Sequence, residues 1–82
     1  MSDLRGYSYA TVMSIQAADP TLPGVQLGLL CVAQMSPVHS VAKQCGVSRQ
    51  TVYSWFTGRF RPSKEKELLI LAMIEDLKKV RV

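Results

Sequence analysis

Cysteine and histidine are nearly missing from this sequence: Cys31, Cys45 and His39 are all it has. There is no Cys-x-x-Cys pair and no Cys/His cluster, which argues against a zinc site with its three or four ligands. No metal is expected, and His39 is expected to be solvated or to touch a phosphate. Both cysteines lie among apolar residues at helical positions, which predicts buried free thiols and suits a reducing compartment. Acids are also scarce, six against ten Lys and Arg. Glu75 and Asp76 form no catalytic pair with anything identifiable, and no nucleophile–base pair or phosphate loop is present. The chain is therefore expected not to be an enzyme and to need no cofactor or small-molecule substrate. Long apolar runs are lacking too. The longest, Leu68 to Ile74, falls far short of the roughly 20 residues that cross a bilayer. Residues 1–6 lead into a polar, tyrosine-containing stretch rather than an apolar signal core. No membrane partner and a cytoplasmic location are the expectation.

What remains is a short chain, 82 residues with 48% hydrophobic and 20% charged. That is too apolar for a disordered tail and enough for one small core. One domain over residues 1–82 is expected, with residues 1–6 frayed. The net charge of +4 is unevenly placed. Lys43, Arg49, Arg59, Arg61 and Lys64 fall in one stretch that contains no acid, whereas acids and bases balance from residue 65 onward. A concentrated basic stretch attracts polyanions, because phosphate contacts release counterions.

The pattern reads as an all-α domain of four to five helices. Residues 8–18 are ambiguous: Tyr7, Tyr9, Thr11, Met13 and Ile15 alternate as in a strand, while Tyr9, Val12, Met13 and Gln16 share a helical face. Helix is favoured, with Ser8 as N-cap and a stop at Asp19-Pro20. Residues 24–35 form a helix apolar nearly all round, hence buried; Gly28 within it points to a close helix crossing. Pro37 suits the first turn of the next helix, residues 37–45, whose Val38, Val41, Ala42 and Cys45 make one stripe. Gly46 supplies the positive φ of a C-cap, and Ser48 caps residues 49–57. There Val52, Trp55 and Phe56 face inward, and Gln50, Tyr53, Ser54 and Thr57 share another face beside Arg49. After the basic loop at residues 58–62, Ser63 caps a long C-terminal helix. Its acids at the start and bases at the end suit the helix dipole.

Two short helices around a tight glycine turn are the parts of a helix-turn-helix, here residues 38–57. The run from Val38 to Gly58, with Ala42 at the helix crossing, Gly46 in the turn, Val47 plugging the core, and Val52 and Trp55 pinning the second helix, resembles the Cro/phage-repressor (XRE-like) helix-turn-helix family. The tail through Ser63 is similar to the stretch after that family's recognition helix, so the resemblance spans residues 38–63. Val38 stands where the family often has a phosphate-binding Gln, and one long helix follows where two short ones are usual. The resemblance implies that Arg49, Gln50, Tyr53 and Ser54 reach base edges. Lys43, Ser48, Thr51, Thr57, Arg59, Arg61 and Lys64 would then meet the DNA backbone.

The all-round apolar run of the last helix exceeds what one small core can cover. A homodimer through Leu69, Ile70, Met73, Ile74 and Leu77 is expected, with recognition helices roughly 34 Å apart on a palindromic operator. The function expected is a sequence-specific double-stranded-DNA-binding regulator, a phage or bacterial repressor. Two alternatives remain open: DNA recognition for packaging or recombination, as by small terminase subunits or excision factors, and a helical module docking an acidic protein.

Overall fold

Ser8 caps the helix that begins at Tyr9: its Oγ accepts from Thr11 N at 3.1 Å, satisfying an N–H that has no helical partner. In the computed structural model, which describes residues 7–80, five helices follow one another: α1 (Tyr9–Ala17), α2 (Pro23–Ala33), α3 (Val38–Cys45), α4 (Arg49–Phe56) and α5 (Lys64–Val80). Among the described residues there is no strand. The fraying expected of residues 1–6 lies outside the described residues. Among the described residues no helix is long and apolar enough to cross a membrane.

Helix α2 is the centre, packing on α1, α4 and α5, while α3 packs on α4. Gly28 makes the crossing with α4 possible. A Cβ there would lie 2.8 Å from Phe56 Cγ, inside van der Waals contact, so the absent side chain is what admits the Phe56 ring. The expected stripe of α3 is buried in full: Val38, Val41, Ala42 and Cys45. Gly46 ends α3 at φ 69°, in the left-handed region that side chains disfavour, and Val47 behind it packs half-buried against the core. Ser63 Oγ accepts from Lys66 N at 3.3 Å and opens α5. Both cysteines are free and buried.

Three expectations need correcting. The buried side of α1 is Val12 and Ile15, not the face shared by Tyr9 and Met13, both of which are exposed. The reason is Tyr7, just before the helix. Its ring packs against Phe56, with centroids 6.4 Å apart, and its hydroxyl donates to Ser36 O at 2.7 Å, which fixes how α1 is rotated. Second, α2 ends at Ala33 rather than 35, because Met35 adopts a positive φ of 58° and turns the chain early. Pro37 accordingly sits extended before α3 instead of within its first turn. Third, Ile70 and Ile74 of the expected dimer surface belong to the chain's own core, 0% and 4% exposed. Met73 and Leu77 are half-buried against that core. The large apolar side chains of α5 left exposed are Leu68, Leu69 and Leu71.

Candidate nucleic-acid interface

Hydrogen bonds at the turn and buried apolar side chains hold the α3–α4 pair together. Ser48 Oγ accepts from Thr51 N at 3.2 Å and shares a hydrogen bond with Thr51 Oγ1 at 3.0 Å. Val52 and Phe56 have no exposed surface and Trp55 almost none, so the inner face of α4 is held by the core. Behind the turn, Lys66 Nζ donates to Cys45 O at 2.7 Å, satisfying a carbonyl at the end of α3 that no helical N–H can reach. Sequence reasoning missed this lysine; a cation in the first turn of a following helix gives no local signal of it.

With the inner face locked, the outer face of α4 follows from the helical repeat. Arg49 and Gln50 are exposed at its amino end, and Thr51, Tyr53, Ser54 and Thr57 are half-buried. Two grooves flank the helix. In one, Thr11 and Ser14 of α1 stand across from Gln50, Tyr53, Thr57 and Arg59. In the other, Gln50, Thr51 and Ser54 lie beside Phe60 and Arg61 of the following loop. Arg59 and Arg61, both exposed, thus sit on opposite sides of α4, with Gln50 common to both grooves.

Not all the expected residues are equally available. The Ser54 hydroxyl donates to Gln50 O at 3.2 Å, and that of Thr57 to Tyr53 O at 2.8 Å. With their protons engaged on their own helix, both present lone pairs outward, so as placed they can accept from a ligand but not donate to a phosphate. Tyr53 stands edge-on to Tyr7, centroids 6.3 Å apart at 88°, so one side of its ring is spent on packing. Lys43 and Lys64 are exposed but line neither groove. His39 is exposed, and among the described residues no three His, Cys, Asp or Glu side chains gather as metal ligands would.

The electrostatics separate interior from interface. Burial pushes the Cys31 thiol up from 9.0 to about 11, against hydrogen bonding with Tyr7 and Ser36 that works the other way. Burial likewise raises Tyr7, helped by Cys31 and Tyr53, and Cys45. These groups are neutral core members rather than reactive ones. At the α1–α2 turn, hydrogen bonds from Thr21 hold the Asp19 carboxyl below its usual range, with Arg61 adding a smaller push in the same direction.

Fold and site together define a small all-α protein with a helix-turn-helix and a long C-terminal helix. Comparison with protein-family models, with curated proteins and with solved structures finds no match to the chain.

Proposed function

We propose that this protein binds double-stranded DNA in a sequence-specific manner, with α4 in the major groove, and acts as a repressor-type transcriptional regulator by occupying an operator. The observation that carries this is the placement of Arg49 and Gln50. Both are exposed at the amino end of a helix whose other face is locked in the core, with Arg59 and Arg61 lining grooves on its two sides. Arg pairs bidentately with guanine O6 and N7, and Gln with adenine N6 and N7. Arg59, Arg61, Lys43 and Lys64 neutralise phosphates and set the register without reading sequence. The amino end of α4 adds its partial positive charge. The resemblance of residues 38–63 to Cro-type repressors supports the same reading. So does the exposed Leu68, Leu69 and Leu71 side of α5, which offers a second copy an apolar face and so a two-fold complex on a palindromic site.

The roles are separable by experiment. Gln50→Ala changes which duplexes are preferred in a selection from random sequence. Arg61→Ala weakens all duplexes alike, by about tenfold, and lowers the salt slope by about one unit. A Gln50→Ala variant that loses affinity equally on every sequence contradicts the base-reading role.

A further inference from the structure

Phe60 is a large apolar side chain left 65% exposed between two arginines. The loop that carries it does not swing freely. Gly58 turns the chain out of α4 at φ 74°, and the N–H groups of Arg59 and Phe60 both donate to Ser54 O, at 2.9 and 3.3 Å. The chain is thereby stitched back onto α4, and Phe60 borders the same groove as Gln50, Thr51, Ser54 and Arg61. On its other side the ring borders Leu22, Pro23 and Pro62; in the groove with Gln50 and Arg61 it suits a partner that is both anionic and locally apolar. Duplex DNA meets both demands. Its phosphates suit the flanking arginines, and the major groove presents one apolar group on a base edge, the C5 methyl of thymine.

We propose that Phe60 packs against a thymine methyl next to the base pair addressed by Gln50, and so determines part of the sequence preference. This rests on the duplex-binding reading above and adds to it a reader outside the recognition helix. A deoxyribose is the other apolar surface within a duplex. A ring laid on sugar would strengthen every sequence alike, whereas a ring on a methyl group discriminates thymine.

The test begins with duplexes selected from random sequence by the wild-type chain. Each thymine of the selected site is replaced in turn by deoxyuridine, which removes only the methyl group. Dissociation constants are then measured for the wild type, Phe60→Ala and Phe60→Leu. At one or two thymines the replacement is expected to weaken the wild type by about fourfold, the weight of one methyl group kept from water. The same replacement leaves Phe60→Ala unchanged, and Phe60→Leu retains part of the discrimination. Equal penalties in wild type and Phe60→Ala overturn the assignment, as does a Phe60→Ala variant that weakens all duplexes alike through a lost sugar contact. A Phe60→Ala variant with unaltered affinity everywhere also overturns it and directs the ring to a protein partner. These three outcomes leave duplex binding itself standing, whereas failure to select any duplex defeats both readings. The ring is exposed, so its removal leaves the core that holds α4 intact.

Discussion

Helices α4 and α5 each lay one face against α2, and their inner faces are alike: Val52 and Phe56 on one, Ile70 and Ile74 on the other, all buried. Their outer faces have opposite chemistry. Helix α4 turns Arg49 and Gln50 outward, α5 turns Leu68, Leu69 and Leu71 outward. The difference teaches what burial can and cannot decide. In α4 Val52, Trp55 and Phe56 are spaced so that one rotation hides all three, and Arg49 and Gln50 are left exposed to a partner. In α5 apolar residues run around the whole helix, so any rotation leaves some in water. Packing on α2 selects the pair that goes inside, and the leftover leucines are the part that a second chain could cover.

The sharpest way to break this comparison is to attack the two inner faces. Phe56→Ala is expected to cost about 3–5 kcal/mol and Ile70→Ala about 2–5 kcal/mol. Losses of that size consume most of the stability of so small a domain, and urea unfolding followed by circular dichroism measures them. A mild effect at Ile70 would place it on the outer face of α5, as the sequence pattern alone suggested.

The outer face of α5 should behave differently. Leu68→Lys combined with Leu71→Lys is expected to leave the unfolding free energy of the monomer within about 0.5 kcal/mol of its original value, while shifting a dimer toward monomer in sedimentation equilibrium. Loss of folding in the double variant would mean that these leucines belong to the core.

An effect that is absent at neutral pH concerns the corner beneath α4 where Tyr7 and Cys31 meet. Both titrate higher in the folded chain than in the unfolded one, Cys31 moving from 9.0 to about 11. A raised value for an acid whose neutral form is buried means that the contribution to stability is full below pH 9. It is lost as the pH climbs toward 11, where the unfolded chain gives up protons that the folded chain still holds. Melting temperature against pH should therefore be flat with respect to these groups up to about 9 and fall above it. Cys31→Ala should flatten part of that fall.

The helix-turn-helix was legible in the sequence nearly to the residue, because each of its signals is local. Gly46 at the turn, Ser48 at the cap, and the four-residue stripe of α3 all act through neighbours within a turn or two of chain. The face of α1 was not legible. Its sequence spreads apolar residues over both candidate faces, and the choice was made by Tyr7 reaching Ser36 and Phe56, contacts far away in sequence. The early end of α2 was hidden because Met35, not a glycine, takes the positive φ. Likewise, nothing local distinguishes Ile70 from Leu69 or Leu71; only the position of α2 does. Within the candidate site, Arg49 and Gln50 stand outward as the pattern required, whereas the engaged hydroxyls of Ser54 and Thr57 and the Tyr7–Tyr53 contact depend on geometry that spacing cannot supply.

The most direct measurement is a fluorescence-anisotropy titration of a labelled pool of random duplexes with the full chain at 50 and at 200 mM salt. Phosphate contacts from Lys43, Arg59, Arg61 and Lys64 predict binding at the lower salt and a loss of affinity of roughly two powers of ten at the higher. No binding at 50 mM, or an affinity indifferent to salt, would contradict the assignment of the α4 face to DNA.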